Sequence, residues 1–191
     1  MPGREYDKVL DLAAEQFGYV TTAQVRARGV ARDTIRKMAK RGTLERVSWG
    51  VYRLPTFPSS PYSEYMEASL WPAGVLGVIS HESALTVRGL SDVNPSAIHI
   101  TVPKHFRVRR GTPAHLVVHH AQLPDDEVTV FEGIPTTTVR RTIEDCHRAH
   151  LGPALLRQAL NDAAREGHLN PSEVTELRRQ ILPRPKRGTS Q

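Results

Sequence analysis

Residues 20–54, VTTAQVRARGVARDTIRKMAKRGTLERVSWGVYRL, decide the fold of this chain. Thr21 and Gln24 have the spacing of a capping box, which predicts a helix that begins just after Thr21. Gly29 interrupts that helix, and a further helix is predicted over residues 32–40, where apolar residues recur on one face. Two helices joined by a tight glycine-containing turn form a helix-turn-helix.

The flanking sequence completes this motif. Residues 6–17 carry apolar side chains at helical spacing, and Gly18 ends the pattern. Residues 44–54 alternate apolar and polar side chains around a turn near residues 48–50, which predicts a two-stranded hairpin. Three helices followed by a hairpin make a winged helix-turn-helix.

A change in composition marks the end of this unit. Three prolines fall within residues 55–61, which excludes a regular helix or a central strand there. The pattern beyond predicts helices over residues 63–71, 80–88, from 138 onwards, 153–166 and 171–182, and strands over 97–102, 116–119 and 128–131.

These observations predict an α+β protein in four parts. A winged helix-turn-helix spans residues 1–54, and a Pro-rich linker spans residues 55–62. A mixed α/β domain that ends in helices spans residues 63–182. Residues 183–191 are expected to be a disordered basic tail.

The composition is that of a soluble globular protein. Of 191 residues, 39% are hydrophobic and 24% are charged, and no run of about 18 apolar residues is present. The N-terminus is charged and lacks an apolar signal core, so we expect a cytoplasmic protein. The single cysteine, Cys146, excludes an internal disulfide.

The charge is unevenly distributed along the chain. The net charge is +6, of which residues 1–54 carry +5, residues 55–182 carry −2 and residues 183–191 carry +3. A basic N-terminal unit on a slightly acidic body indicates that the N-terminal unit binds a polyanion. The alternative is a solvated basic surface without a partner.

The second helix of the helix-turn-helix motif is the predicted DNA-reading element. Its apolar face turns its cations outward, and a helix of this width fits the major groove. Thr22 is expected to offer its hydroxyl and backbone N–H to a phosphate. The residues expected to contact DNA are Thr22, Arg32, Thr34, Arg36, Lys37, Lys40, Arg41, Arg46 and Ser48. Of the hairpin aromatics Trp49 and Tyr52, at least one is expected to pack on the helices.

Three groups elsewhere have residue types found in metal and catalytic sites: His119 with His120, Cys146 with His150, and residues 80–83 (Ser-His-Glu-Ser). Adjacent histidines in a strand point to opposite faces, and two ligands alone do not complete a zinc site. Adjacent residues on a helix do not face one another, so no catalytic triad follows. We therefore expect no metal, no cofactor and no enzymatic activity.

Five stretches of the chain resemble AbiEi-type antitoxins over about residues 5–165. In the N-terminal half these are residues 17–24 and the wing at 46–54, which contains the Gly-hydrophobic-Tyr sequence Gly50-Val51-Tyr52. In the second domain they are residues 80–85, 98–103 and 134–143.

The resemblance implies an antitoxin of a type IV toxin–antitoxin system, with residues 63–182 as the antitoxin domain. In that family the partner is a nucleotidyltransferase-like toxin, and the antitoxin represses its own promoter. We expect a monomer or weak dimer that assembles on inverted repeats. Two alternatives are a stand-alone transcription factor whose second domain binds an effector, and a DNA-targeted enzyme such as a nuclease. The acidic residues 125–127 could suggest the metal site of a nuclease. Because they follow Pro124, they are instead predicted to form a solvated loop.

Overall fold

The computed structural model describes residues 3–72, 74–108 and 111–181, so the predicted basic tail lies outside the described residues. The helices are α1 (Arg4–Ala14), α2 (Thr22–Ala27), α3 (Arg32–Lys40), α4 (Ser63–Leu70), α5 (His81–Val87), α6 (Val139–Arg148), α7 (Pro153–Arg165) and α8 (Pro171–Ile181). The strands are β1 (Tyr19–Thr21), β2 (Glu45–Ser48), β3 (Val51–Arg53), β4 (Val78–Ile79), β5 (Ile98–Val102), β6 (Leu116–His120), β7 (Val128–Phe131) and β8 (Ile134–Thr137). The predicted α+β class is confirmed.

The capping box that begins α2 is present as predicted. The Thr21 hydroxyl accepts from the Gln24 backbone N–H at 3.1 Å, and the Gln24 side chain accepts from the Thr21 backbone N–H at 2.9 Å. Thr21 also belongs to β1, a strand that the sequence patterns did not predict. Because β1 pairs with β3, the wing is a three-stranded sheet of order β1-β3-β2.

The N-terminal core lies between the three helices and this sheet. Val9, Val25, Ile35 and Leu44 are among its fully buried members. Tyr52 packs against the core, which confirms that one wing aromatic is structural. Trp49, at the turn, is 47% exposed.

A second, mixed sheet of order β6-β5-β4-β8-β7 forms the body of the protein. The β5–β6 and β4–β8 pairs are parallel, and the other two pairs are antiparallel. The two-residue strand β4 was not predicted because it is too short to show a period. Helices α5 to α8 share one apolar core, which includes the fully buried Leu85, Ile143, Leu160 and Leu177.

The two sheets are joined through side chains as well as through the chain. Tyr19 of β1 and Val51 of β3 are buried in the same cluster as Met66 and Leu70 of α4. Within residues 55–62, Phe57 packs against the N-terminal core. The winged helix is therefore docked on the second domain.

Gly18 lets Phe57 pack closely on the N-terminal unit, and it provides a test of the turn that follows α1. Its φ is +89°, and an added Cβ would lie 2.6 Å from the Phe57 Cβ. Gly18→Ala is expected to lower the free energy of unfolding by about 2–4 kcal/mol, from backbone strain and overpacking together. Gly42→Ala is the control, because its φ is +75° with nothing within 4 Å, and about 1–2 kcal/mol is expected. Urea denaturation measures both, and equal losses would contradict the packing argument.

Candidate functional site

Helix α3 turns its cations to solvent. Ile35 is 1% exposed, and Met38 and Ala39 pack against the same core. The exposed basic residues of this helix and its C-terminal cap are Arg32, Arg36, Lys37, Lys40 and Arg41. Arg36 lies 3.5 Å from Asp33 in a solvent-exposed ion pair, which is weak enough to exchange for a phosphate.

The wing adds a further exposed cation, Arg46. Its guanidinium carbon lies 4.5 Å from the centroid of a Trp49 ring, a cation–π distance. Its Nε donates to the Ser48 carbonyl at 3.3 Å. These contacts hold the guanidinium at the turn of the hairpin.

The three hydroxyl residues predicted to contact DNA are engaged or enclosed within the protein. The Thr22 hydroxyl and backbone N–H both donate to the Gly50 carbonyl, at 3.3 and 2.8 Å. The Thr34 hydroxyl donates to the Glu5 carboxylate at 3.2 Å. Ser48 Oγ is buried with no hydrogen-bond partner among the described residues. In this DNA-free structure the Thr22 hydroxyl links the wing to α2 and the Thr34 hydroxyl links α3 to α1, and their contact with DNA stays a prediction.

A cleft of about 710 Å³ lies where α2, α3 and the wing face the second domain. Four arginines line it: Arg26 from α2, Arg32 and Arg36 from α3, and Arg46 from the wing. Leu70, Pro72, Val75 and Leu76 of the second domain also line it. Sequence reasoning missed Arg26, although its place in the last turn of α2 was a usable signal.

The structure also shows the surroundings of Cys146 and His150 and of the acidic residues 125–127. Cys146 is fully buried, and burial raises the pKa of its thiol. Helix α6 ends at Arg148, before the exposed His150, so the expected shared helix face does not extend to both. Residues 125–127 form a single 3-10 turn in which Asp125 and Asp126 are exposed, as predicted for a solvated segment, and Glu127 pairs with Arg141.

The histidines are arranged differently from the adjacent pair considered in the sequence. His120 is exposed, whereas His119 lies with His81 and His99 in one half-buried cluster. Burial is the largest cause that lowers the pKa of His81 and of His119 to about 4, and neighbouring histidines add to it. Burial also lowers the pKa of His99. Sequence spacing did not reveal this cluster, because its members come from three separate elements.

Comparison with known proteins finds a family model that matches part of the N-terminal domain. Residues 7–55 match the model of the family described as "Transcriptional regulator, AbiEi antitoxin". The fold resembles the crystal structure of the RV2827C protein from Mycobacterium tuberculosis, with a TM-score of 0.50 and 19% identity over 93% of this chain and 72% of that chain. At that identity the likeness concerns the fold alone. No curated protein matches the sequence.

Proposed function

We propose, from the match of residues 7–55 to the AbiEi antitoxin transcriptional regulator family, that the protein is an antitoxin that represses its own operon. In this proposal α3 and the wing bind promoter DNA, and the whole protein counteracts a nucleotidyltransferase-like toxin. The observation that carries the proposal is the set of exposed cations on α2, α3 and the wing, four of which line one cleft.

The electrostatics favour duplex DNA as the ligand. Residues 1–54 carry a net charge of +5, and the exposed cations lie on a helix that fits the major groove. Arginine and lysine bind phosphates and guanine edges, so this surface suits both positioning and base readout. The cations that we propose contact DNA are Arg26, Arg32, Arg36, Lys37, Lys40, Arg41 and Arg46, and contacts from Thr22, Thr34 and Ser48 stay part of the proposal.

The cleft divides this set into two groups. Arg32 and Arg36 line the cleft near the start of α3, whereas Lys37, Lys40 and Arg41 do not line it. We assign base readout to the first pair, since the N-terminal residues of a recognition helix commonly reach base edges. The second group then binds phosphates along the groove.

The second domain is the part that we assign to toxin neutralisation. The gene neighbourhood tests this half of the proposal, because a nucleotidyltransferase-type gene beside this one supplies the toxin. Co-expression is then expected to relieve the growth arrest caused by that toxin. Continued arrest in the presence of folded antitoxin would contradict the assignment and leave the DNA-binding half intact.

No helix among the described residues combines the length and apolar character needed to cross a membrane.

The promoter of the protein's own operon is the DNA used in the direct test of binding. A single recognition helix seldom gives operator affinity alone, so we expect a monomer or weak dimer in solution and two copies on inverted half-sites. DNase footprinting is expected to show paired protected half-sites, and affinity is expected to fall as salt rises because bound cations release counterions. Light scattering of the free protein measures its oligomeric state.

Two results would contradict this proposal. Equal affinity for the promoter and for a scrambled duplex would contradict the proposed repressor function. A stable dimer at low micromolar concentration without DNA would contradict assembly on the operator and would indicate an interface in residues 63–182.

A further inference from the structure

Three histidines from three secondary-structure elements meet beside the second sheet. His99 lies on β5, His119 on β6, and His81 at the start of α5. In the parallel β5–β6 pair, His99 lies opposite Val117, two residues before His119, so the two histidines are diagonal neighbours on one face. The Ser80 backbone N–H donates to the His99 carbonyl at 3.0 Å, which brings the start of α5 to the same place.

The nitrogen atoms of these rings have spacings close to those of a metal site. His119 Nε2 lies 3.2 Å from His99 Nδ1. Two nitrogens on a tetrahedral zinc ion are separated by about 3.3 Å, given Zn–N bonds of about 2.0–2.1 Å. One nitrogen from each ring lies within 4.8 Å of the other two. Side-chain shifts of about 1.5 Å would therefore bring each pair of these nitrogens to the separation of two ligands on one tetrahedral zinc ion.

The packing of the rings also suits a shared ligand. The His81 and His119 rings stack with centroids 3.6 Å apart and an interplanar angle of 13°. Two charged imidazolium rings would repel each other at this distance, so the arrangement suits neutral rings that keep a lone pair for a cation.

Polar residues behind the cluster orient His81. Its Nδ1 lies 3.0 Å from the buried Ser80 hydroxyl, which in turn accepts from the Thr101 hydroxyl at 2.8 Å. Metal-bound histidines characteristically have their second nitrogen held in this way. His81 also has a φ of 52°, a left-handed backbone that costs free energy in a residue with a side chain. The strained backbone conformation is thus found at the residue whose side chain joins the cluster.

Two of the three histidines, His81 and His119, line a polar cleft of about 390 Å³. Asp145, which is almost fully buried, lines the cleft and pairs with Arg141 at 2.9 Å. Arg141 also pairs with Glu127, so two carboxylates surround this guanidinium. Its positive charge is thereby offset beside the three histidines.

We propose that His81, His99 and His119 bind one divalent transition-metal ion of the zinc class, with the fourth coordination position open to this cleft. Imidazole nitrogens favour zinc and its first-row neighbours over magnesium and calcium, which take oxygen ligands. Three protein nitrogens and an open position are the ligand set of a site that accepts water or an anionic group as the fourth ligand. The site is separate from the proposed DNA-binding surface.

Metal titration of the untagged, chelator-treated full chain tests the proposal. Zn²⁺ is titrated against a chromophoric indicator, and Co²⁺ serves as a probe because its visible absorption reports tetrahedral geometry. We expect one ion per chain and a tetrahedral Co²⁺ spectrum. His99→Gln and His119→Gln are each expected to weaken binding by at least about 100-fold, a larger loss than outer-shell changes cause.

The matched control is His115→Gln, since His115 is exposed and precedes β6. It is expected to bind metal as the unmodified protein does. Circular dichroism checks that each variant folds, and histidine-ring NMR of the unmodified protein identifies the ligands even if a variant unfolds. Zn²⁺ shifts confined to His81, His99 and His119 support the site. Absence of saturable binding at micromolar metal, or equal losses in His115→Gln, would overturn it.

Discussion

The double variant Arg36→Ala/Lys40→Ala is expected to lose about 100-fold or more of its promoter affinity at physiological salt. Both side chains are exposed on the outward face of α3, and contacts of this kind each contribute about 1–3 kcal/mol to specific binding. Because Lys40 is assigned to a phosphate and Arg36 to a base edge, the dependence of log affinity on log salt should become shallower by about one. Fluorescence anisotropy over a series of salt concentrations measures both quantities.

The charge-matched control is Arg157→Ala/Arg179→Ala. Both residues are exposed on α7 and α8, so the net charge changes equally while α3 is untouched. This control is expected to bind within a few-fold of the unmodified protein, because exposed charges beyond a Debye length of about 10 Å are largely screened. Equal losses in the two double variants would mean that net charge, rather than the α3 surface, determines binding.

Replacing Tyr19 is expected to uncouple the winged helix from the second domain. Tyr19 is 5% exposed and packs in the cluster that contains Met66 and Leu70 of α4. Tyr19→Ala should lower the free energy of unfolding by about 3–5 kcal/mol, as aromatic truncations in a core do. Tyr19→Phe keeps the ring and should cost about 1 kcal/mol.

The two tryptophans allow each half to be followed during urea unfolding, since Trp49 is at the wing turn and Trp71 follows α4. Single-tryptophan proteins are made with Trp49→Phe or Trp71→Phe. In the parent background both signals should change at one midpoint, whereas with Tyr19→Ala the Trp49 signal should change at lower urea. Coincident midpoints with little loss of stability would show that the shared cluster does not couple the two units.

Much of the fold follows from short-range sequence patterns. Helix α3 begins and ends at the residues predicted from its apolar period, and the Thr21–Gln24 capping box begins α2 as expected. Periods and caps act between residues a few positions apart, so the chain specifies them before any tertiary contact forms. The same period predicted that the α3 cations face solvent.

The internal hydrogen-bond partners of the hydroxyl residues could not be predicted from sequence patterns. Thr22, Thr34 and Ser48 are predicted DNA contacts by residue type and position, and in the structure the Thr22 hydroxyl bonds to the wing turn and the Thr34 hydroxyl to α1. A hydroxyl is short and satisfies the nearest acceptor that the fold provides. Arginine and lysine side chains are long enough to extend into solvent, so their exposure could be predicted from the sequence. The hydrogen-bond partners of the short hydroxyl side chains could not.

By itself the sequence determined the helices, most of the strands, the basic N-terminal unit and the outward face of α3, because these depend on local period, capping and charge. The tertiary structure alone decided that β1 joins the wing, that Tyr19 is buried against α4, and that His81, His99 and His119 meet. Each of these depends on the order and register of strands, which bring together residues that lie far apart in the chain. Such contacts are set by the packing of whole elements, and no spacing within a single segment encodes them.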